Sequence, residues 1–335
     1  MTVPSALVTG ATGMLGTHVV QRLQRDGWHV RAMVRDAARA GSLSRAGVEL
    51  AIGDVLEPTG FARAAAGCDF VFHAAAAVTP HGGWEAFQRP NVEGTRNAIA
   101  AVEGAGARLV HVSSVAVYGS FARYRDGELT NEDTPLAPLG NSDHYARSKR
   151  ESEALVLDAH RAGRIWATAV RPDVIYGRHD RQFIPRVVRL LGWGVAPIIA
   201  GGGSTLAIVH AENVADGMVR AAATEAAGGR AYNLANDYDV TVSEFFRLAG
   251  EGLNVRLRSF HVPLGVAKGA ERAIRAAGAL IPGNRFKAVS FSAVGFLSRD
   301  NPFTSARARA ELGWDPPVRP QTGIPDAFRA YATAG

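Results

Sequence analysis

The chain has 335 residues, of which 47% are hydrophobic and 20% are charged, and its net charge is +6. This length accommodates one large α/β domain and a smaller one, and the ordinary composition excludes a collagen, a coiled coil and a disordered chain. The basic surplus consists mostly of scattered arginines interleaved with acidic residues, so no nucleic-acid partner is expected.

Cys68 is the single cysteine, so an internal disulfide is excluded and a reducing compartment is expected. The sequence begins directly on an apolar strand pattern, without the basic and apolar regions of a signal peptide. It contains no run of about 18 uncharged apolar residues, which predicts no integral membrane segment. We therefore expect a cytoplasmic protein.

The first half of the chain alternates short apolar segments with helical patterns. The apolar segments predict strands at 5–9, 29–34, 48–52, 69–73, 108–113 and 166–171. Helical periodicity lies between them, at about 14–26, 58–66, 91–104 and 143–162. Such alternation forms a parallel sheet with right-handed crossovers. The predicted fold class is therefore α/β, a doubly wound parallel-sheet Rossmann fold with a smaller C-terminal substrate domain.

The pattern changes after Arg171, where prolines and a glycine run interrupt the regular elements. The segments 206–210 and 231–235 still look like strands, and we expect them to return to the main sheet. The Rossmann domain is therefore expected to comprise 1–178 and 204–236, and the second domain to comprise 179–203 and 237–335.

Residues 262–280 predict a helix whose apolar side is formed by Leu264, Val266, Ala267, Ala270 and Ile274. A lid, a dimer surface and a membrane-surface helix remain open for this segment, and an ordinary packed helix is the favoured interpretation. The wider segment 262–296 has three aromatic residues that would either line a hydrophobic pocket or belong to the core, namely Phe286, Phe291 and Phe296.

A glycine-rich turn joins the first predicted strand to the first predicted helix. Gly10 permits the tight turn, Gly13 lets the backbone approach a pyrophosphate, and Gly16 lets the helix pack closely on the strand. The N–H groups and positive dipole end of that helix favour phosphate. The turn predicts a dinucleotide site that includes Gly10, Thr12, Gly13, Met14, Leu15 and Gly16.

The sequence of this turn, TGATGMLG, resembles that of the short-chain dehydrogenase/reductase superfamily, particularly its extended branch. That branch includes sugar-nucleotide epimerases, dihydroflavonol reductases and 3β-hydroxysteroid dehydrogenases. The resemblance implies that Asp54 and Val55, after the third strand, contact the adenine of the cofactor. It also implies that the cofactor lies against small residues after the fourth strand, which are Ala74, Ala75 and Ala76.

The end of the second predicted strand bears on the choice between the two nicotinamide cofactors. A protein that selects NAD usually has Asp or Glu there, which binds the ribose 2′-OH. This chain has Val34 followed by Arg35, and a guanidinium binds a 2′-phosphate through paired hydrogen bonds. Arg35 predicts NADP(H), with Arg39 as a candidate helper. NAD(H) is the alternative if Asp36 takes the role of the acid.

Tyr145 and Lys149 form a YxxxK motif in the predicted helix 143–162. Residues i and i+4 share one face of a helix, so the Lys149 ammonium is expected near the Tyr145 phenol. A nearby positive charge lowers the pKa of a phenol, which would let Tyr145 exchange a proton with an alcohol or ketone near neutral pH. The motif predicts Tyr145 as general acid/base and Lys149 as its partner, and both are also predicted cofactor contacts.

Three further stretches extend the resemblance. VSSVAVYG is similar to the family's SSxxxYG, which implies that Ser114 holds the substrate oxygen and leaves Ser113 as a structural rival. RPDVIYG is similar to RPxxxYG, which implies cofactor contacts at Pro172 and Ile175. NVEGT is similar to the start of a family helix, at which Asn91 would be the N-cap. No metal site is predicted.

Leu206 bears on the substrate, because sugar-nucleotide enzymes of the family commonly have a diphosphate-binding Arg at the matching position. Leu206 and a tail at 302–314 that resembles the steroid and flavonol branches favour ketone/alcohol interconversion on a bulky, largely apolar substrate. The alternatives are a sugar-nucleotide epimerase or dehydratase with tightly bound NAD, using Arg256 or Arg258, and a non-catalytic NADP sensor. The resemblance also implies a homodimer that pairs through the helices near 91–104 and 143–162.

Overall fold

The computed structural model describes residues 3–78, 82–119, 129–192, 194–280 and 293–334. Its strands in chain order are β1 (Ser5–Thr9), β2 (His29–Val34), β3 (Glu49–Ile52), β4 (Phe70–His73), β5 (Arg108–Val112), β6 (Trp166–Pro172), β7 (Val174–Tyr176), β8 (Val195–Ile199), β9 (Ile208–His210), β10 (Ala231–Leu234) and β11 (Arg258–Val262).

Seven of these strands form one parallel sheet in the order β10-β6-β5-β4-β1-β2-β3. Most residues of the central strands are buried, which explains why the sequence has continuous apolar runs there rather than alternation. The strand order reverses between β1 and β4, and α/β sheets bind ligands beyond the carboxyl ends of the strands at such a point. The predicted doubly wound Rossmann fold is confirmed.

The α-helices in the described residues are α1 (Met14–Arg25), α2 (Gly41–Arg45), α3 (Pro58–Ala65), α4 (Glu85–Phe87), α5 (Gly94–Ala105), α6 (His144–Arg161), α7 (Phe183–Leu191), α8 (Ala211–Ala223), α9 (Val242–Leu253), α10 (Leu264–Leu280), α11 (Ala293–Ser298), α12 (Ala306–Leu312) and α13 (Pro320–Ala334). Each helix in the described ranges is too short or too polar to span a bilayer.

Two hydrophobic clusters cover the two faces of the main sheet. One contains Val19 and Leu23 of α1 together with Met218 of α8. The other contains Phe61 of α3 and Val156 of α6, together with residues of α5. The sheet is therefore the middle layer of three, and its ends remain accessible to ligands.

A third cluster joins the elements that follow β6 in the chain. It contains buried residues of α7, α9 and α13, including Phe245 and Phe328, whose rings are 5.9 Å apart. Phe296 of α11 packs against this cluster and contacts the ring of Phe183 at 6.1 Å. Phe296 therefore packs against a core, whereas Phe286 and Phe291 lie outside the described residues.

One expectation for the second half was wrong. Residues 231–234 do return to the main sheet beside β6, but Ile208–His210 pairs with β7 in a separate two-stranded sheet. β10 already occupies the edge beside β6, so no position there remains for β9. The helix predicted at 262–280 is present as α10 and starts two residues later, at Leu264, because Arg258–Val262 pairs with β8 as a strand.

The described part of α10 is more exposed than an ordinary packed helix. Ala267 is buried and Leu264 packs against the third cluster, but Val266 is 62% exposed and Ala270 is also exposed. The apolar side proposed for this helix is therefore only partly covered. The side chain of Ile274 lies outside the described residues.

Candidate active site

The turn between β1 and α1 requires glycine at two positions. Gly10 has a φ of +68°, and a Cβ there would lie 2.8 Å from the Ala75 nitrogen. A Cβ on Gly16 would overlap the Gly10 carbonyl oxygen and lie 2.8 Å from Ala11 Cα. Only glycine lets α1 lie this close to the turn, which matches the tight turn and close packing expected from the sequence.

The start of α1 is suited to a phosphate group. Gly13 is the N-cap and has no side chain that accepts the first N–H groups of the helix. Thr12 and Gly13 are exposed, while Met14 and Leu15 are half-buried. Uncapped N–H groups at a helix start bind anions, so these residues fit the pyrophosphate of a dinucleotide.

The segment after β4 approaches this turn through small residues. The Ala75 N–H donates to Thr9 Oγ1 at 3.2 Å, and Thr9 is also bonded to His73 Nδ1 at 2.9 Å. Ala74 and Ala75 are half-buried and Ala76 is exposed. The three alanines therefore border the crevice between β1 and β4, where larger side chains would occupy the space of a cofactor.

The loop after β2 exposes a guanidinium. Arg35 is exposed and forms no hydrogen bond or ion pair with another residue in the described ranges. The neighbouring Asp36 caps the short helix Ala37–Ala40, where its Oδ1 accepts from the Ala38 N–H at 2.9 Å. Arg35 is thus available to a phosphate, whereas Asp36 has a local structural role. The side chain of Arg39 lies outside the described residues.

The loop after β3 is ordered by its own side chains. Asp54 Oδ1 accepts from the Leu56 N–H at 3.0 Å, and the Val55 carbonyl accepts from Asn97 Nδ2 at 2.8 Å. Both residues are half-buried at the carboxyl end of β3. They lie on the same edge of the sheet as Arg35, as an adenosine site requires.

Ser114 and Tyr145 meet above the end of β5. Ser114 is the N-cap of the 3₁₀ helix Val115–Tyr118, and its Oγ accepts from the Ala116 N–H at 3.2 Å. Its hydroxyl lies close enough to the Tyr145 phenol to lower the pKa of that phenol. Burial raises the pKa of Tyr145, and the Ser114 hydroxyl acts in the opposite direction. Lys149 is not among the groups that shift this pKa, so the expectation that Lys149 lowers it is wrong.

Lys149 lies on the same helix as Tyr145 and is directed to the sheet. It is buried, and its Nζ donates to the Val112 carbonyl at 2.8 Å. Burial lowers its pKa to about 8, and the Glu153 carboxylate opposes this change. One of the three N–H donors of the Lys149 ammonium is therefore bound to the backbone of β5.

Ser113 differs from Ser114 in its surroundings. Its Oγ is buried and has no hydrogen-bond partner among the described residues, while its N–H donates to the Val170 carbonyl at 2.8 Å. The hydroxyl that reaches Tyr145 is that of Ser114. The geometry therefore favours Ser114 over Ser113 as the residue that would contact a substrate oxygen.

The Asn91 side chain connects two parts of the site, and it is not a helix cap. Its Oδ1 accepts from the Ala77 N–H at 2.7 Å, and its Nδ2 donates to the Ala77 carbonyl and to Ser148 Oγ, each at 2.9 Å. The N-cap prediction was wrong because residues 88–93 already form a π-helix that continues into α5. Asn91 instead fixes the β4 loop to α6.

Pro172 and Ile175 lie at the carboxyl end of β6 and in β7. Pro172 is buried and pairs with Leu234, while Ile175 is half-buried. Leu206 is 1% exposed and belongs to the third hydrophobic cluster. The Leu206 side chain is therefore enclosed by apolar neighbours, and no positive charge stands at this position.

Two features of the site had not been expected from the sequence. The Phe87 ring lies 6.3 Å from the Tyr145 ring and also contacts His144, which gives the tyrosine an aromatic neighbour. Glu153 lies one turn after Lys149 and binds Arg171. The i+4 spacing from Lys149 is a signal that points to Glu153. In the described residues, no three potential ligands are grouped as a metal site.

Residues 6–235 match the model of the NAD dependent epimerase/dehydratase family, which is more than half of the chain. The chain belongs to the NAD dependent epimerase/dehydratase family. This membership confirms the resemblance to the extended short-chain dehydrogenases/reductases and supports a nicotinamide cofactor.

Relatives of this family member cover nearly its whole length. The 4-hydroxy-2-methyl-3-oxo-4-farnesyl-3,4-dihydroquinoline-1-oxide ketoreductase of Stigmatella aurantiaca is 32% identical over 98% of this chain and 96% of the relative. The 3beta-hydroxysteroid-dehydrogenase/decarboxylase isoform 1 of Arabidopsis thaliana is 28% identical over 97% of this chain and 79% of the relative. The crystal structure of gox2253 is 27% identical with a TM-score of 0.76, over 99% and 98% of the two chains. These relatives support an oxidoreductase that acts on CH–OH or C=O groups.

Proposed function

We propose that this chain is an NADP(H)-dependent oxidoreductase that interconverts a ketone and a secondary alcohol on a bulky, largely apolar substrate. The observation that carries the proposal is the Ser114 hydroxyl close to the Tyr145 phenol, with Lys149 on the next turn of α6. Ser114 follows the carboxyl end of β5, and Tyr145 and Lys149 lie in the first turns of α6. These three are the proposed catalytic residues.

Ser114 and Tyr145 would bind the substrate oxygen with their two hydroxyl groups. The Tyr145 phenol, like an ordinary tyrosine, is protonated at neutral pH, which is the form that donates a proton to a ketone oxygen. Burial raises its pKa further. The Lys149 ammonium would then stabilise the phenolate that remains.

The residues around the crevice fit a nicotinamide dinucleotide. Gly10, Gly16 and the uncapped start of α1 form a cradle that a Cβ would fill, and Arg35 offers a guanidinium at the adenosine end. When bound, the cofactor supplies or accepts the hydride. The proposed contacts are Gly10, Thr12, Gly13, Met14, Leu15, Gly16, Arg35, Asp54, Val55, Ala74, Ala75, Ala76, Tyr145, Lys149, Pro172 and Ile175.

The apolar substrate is supported by what surrounds the catalytic tyrosine. Phe87 provides an aromatic surface beside Tyr145, and the buried Leu206 presents no cation for a diphosphate. The name of the Stigmatella relative describes a ketone on a farnesylated ring system, which is bulky and largely apolar. A substrate of this class would gain binding energy mainly from apolar contacts.

The proposal also assigns cofactor binding and substrate binding to two different parts of the chain. The seven-stranded sheet and the helices that cover it would bind the cofactor, and the elements of the third hydrophobic cluster would bind the substrate. The chain would form a homodimer through α5 and α6. Light scattering of the purified protein measures the dimer directly, and a mass of one chain at micromolar concentration would exclude it.

The experiment that tests the function is cofactor titration followed by turnover. NADPH and NADH are added separately to the purified protein, and a panel of cyclic and steroid-like ketones is offered beside UDP- and dTDP-sugars. We expect NADPH to bind at least about tenfold more tightly than NADH, because one charged hydrogen-bond pair with Arg35 is worth about 1.5–3 kcal/mol. We also expect a ketone to be reduced.

Two variants make the test specific. Tyr145→Phe should bind NADPH normally and fail to reduce the ketone, whereas Arg35→Ser should lose the preference for NADPH and retain turnover at saturating cofactor. A protein that is purified with NAD bound and acts only on a nucleotide sugar would contradict the proposal. Turnover by Tyr145→Phe at the rate of the unmodified protein would contradict the role of the tyrosine.

A further inference from the structure

A buried ion pair joins the catalytic helix α6 to strand β6. Arg171 of β6 donates from Nε and Nη2 to the two carboxylate oxygens of Glu153 at 2.9 and 2.6 Å. Both side chains are almost completely buried, with exposed fractions of 7% and 6%. A bidentate pair without access to water is held in one geometry, so the position of the Glu153 carboxylate is fixed.

The other end of the guanidinium is also fixed. Arg171 Nη1 donates to the Tyr118 hydroxyl at 2.7 Å, and that hydroxyl donates to Asn233 Oδ1 at 2.8 Å. The Arg171 guanidinium also lies 5.0 Å from the centre of the Tyr118 ring. Three elements of the main domain, β6, β10 and the segment after β5, therefore hold the pair from the side opposite α6.

Glu153 and Lys149 are one turn apart on α6 and both are buried. Side chains at this spacing lie on one face of a helix, so the fixed carboxylate faces the ammonium. Burial lowers the pKa of Lys149 to about 8, and Glu153 raises it. Burial alone would therefore favour the neutral amine, and the carboxylate opposes that tendency.

The other groups that face Lys149 cannot replace this carboxylate. His73 on β4 and His111 on β5 both interact with it, and their ring centres are 5.7 Å apart. Burial lowers the pKa of His73 to about 3 and that of His111 well below its usual value, so both rings are neutral. Tyr145 is the titratable residue one turn before Lys149 on α6.

We propose that Glu153 is a positioning residue for the reaction, whose carboxylate, fixed by Arg171, is the counter-charge that keeps Lys149 as an ammonium. The pair gives Lys149 the charge with which it stabilises a Tyr145 phenolate and binds a ribose hydroxyl. The consequence for catalysis rests on the proposed function, but the effect on the protonation of Lys149 does not. The two can therefore be tested separately.

The chain contains only three lysines, Lys149, Lys268 and Lys287, which makes a direct titration practical. The protein is labelled with ¹³C,¹⁵N-lysine, and the side-chain signals are followed by NMR from pH 5.5 to 10. The Lys149→Arg variant identifies the Lys149 signal by its loss. We expect a midpoint near pH 8 for Lys149.

Glu153→Gln is the decisive variant, because it removes the charge and keeps the size of the side chain. We expect the Lys149 midpoint to fall by about one pH unit or more, because an opposite charge at close range has an effect of that size. Glu153→Asp should restore most of the difference. Glu151→Gln is the matched control, because Glu151 lies on the same helix and pairs with the exposed Arg147.

A variant with both Glu153→Gln and Arg171→Gln covers the case in which the single variant does not fold. It removes the same carboxylate without leaving a buried guanidinium unpaired, which would cost the most stability. An unchanged Lys149 midpoint in whichever of these variants folds overturns the proposal. If the midpoint falls but no ketone is reduced by the unmodified protein, the proposed function fails and the role of Glu153 in the protonation of Lys149 stands.

Once a ketone substrate is known, the same variants give a second measurement. The reduction rate of Glu153→Gln should decline at a lower pH than that of the unmodified protein, by the same shift as the NMR midpoint. A purely structural role would lower the rate equally at every pH. A rate profile that keeps its shape while the NMR midpoint moves would exclude the catalytic consequence.

Discussion

Gly16→Ala should separate the packing requirement of the β1–α1 turn from every other role of its glycines. An added Cβ would overlap the Gly10 carbonyl oxygen and lie 2.6 Å from the Gly10 carbonyl carbon and 2.8 Å from Ala11 Cα. All three neighbours are backbone atoms, so no side chain can rotate away. To restore ordinary contact at about 3.4–4 Å, α1 must move outward by roughly 1 Å.

The expected change in the free energy of unfolding is the difference between two opposing effects. Overpacking of a tight contact costs about 1–3 kcal/mol, and replacing a helical glycine with alanine gains about 0.5–1 kcal/mol. We therefore expect Gly16→Ala to lower the free energy of unfolding by about 1–2 kcal/mol. Gly104→Ala is the matched control, because Gly104 is also helical but no atom lies within 4 Å of its Cβ position. That variant should gain about 0.5–1 kcal/mol.

The assay is urea unfolding of the two variants and the unmodified protein, with and without NADPH. A ligand that binds the native state raises the unfolding midpoint, and the displaced α1 of Gly16→Ala should reduce this gain. The difference between the two variants should reach about 1.5–3 kcal/mol without cofactor. If Gly16→Ala proves as stable as Gly104→Ala, the tight contact between α1 and the turn is not real and the reasoning from geometry fails.

Three further predictions concern groups that the structure shows to be buried. Asn91→Ala should lower the free energy of unfolding by about 1–3 kcal/mol in urea, because it leaves backbone groups of the β4 loop without partners. Trp314→Phe should lower the free energy of unfolding by about 1–3 kcal/mol in the same assay, because it removes buried volume and the Nε1 donor to the Asn213 carbonyl at 3.0 Å. An unchanged free energy of unfolding would show that the Trp314 ring is not enclosed. Burial lowers the pKa of His73 to about 3 and that of His210 to about 4, so below about pH 6.5 the unfolded chain binds more protons than the native chain. Stability should therefore fall as the pH decreases from about 6.5 toward 4, and His210→Gln should show a weaker decline between pH 7.5 and 5 than the unmodified protein.

The sequence predicted the first half of the fold closely because the signals there are local. Each central strand is buried on both faces and therefore appears as an apolar run, so that the predicted 5–9 and 29–34 coincide with β1 and β2. The glycine spacing predicted a tight turn, which is present with the positive φ at Gly10. Tight turns and strands buried on both faces can be recognised in a single sequence, because both require particular residue types at adjacent positions.

The second half was harder because its pairing is non-local. Ile208–His210 has the apolar character of a sheet strand, but β10 occupies the edge of the main sheet and β9 pairs with β7 instead. Arg258–Val262 has an exposed or half-exposed side chain at every position, so no apolar alternation marked it as a strand. Its only strand partner in the described residues is β8, about sixty residues earlier in the chain.

In the catalytic helix α6, residue spacing predicts which side chains share a face but not where their polar groups are directed. The i+4 spacing placed Tyr145 and Lys149 on one helix face, but the orientation of the ammonium depends on what lies beneath that face. The Lys149 ammonium donates one N–H to the Val112 carbonyl, and the Glu153 carboxylate on the next turn of α6 stabilises its positive charge. With Lys149 turned toward the sheet, the pKa of Tyr145 responds mainly to burial and stays high.

A high phenol pKa suits the proposed direction of the reaction, because a reductase needs its tyrosine protonated when the ketone binds. The positive charge is needed only after the proton has left, and the Lys149 ammonium lies one helical turn away, where it can stabilise the resulting phenolate. The nearby Ser114 hydroxyl lowers the pKa of the phenol and so lowers the cost of the same step. The site thus separates two tasks, since burial keeps the proton on Tyr145 at rest and the ion pair of Glu153 and Arg171 maintains the charge that compensates its loss.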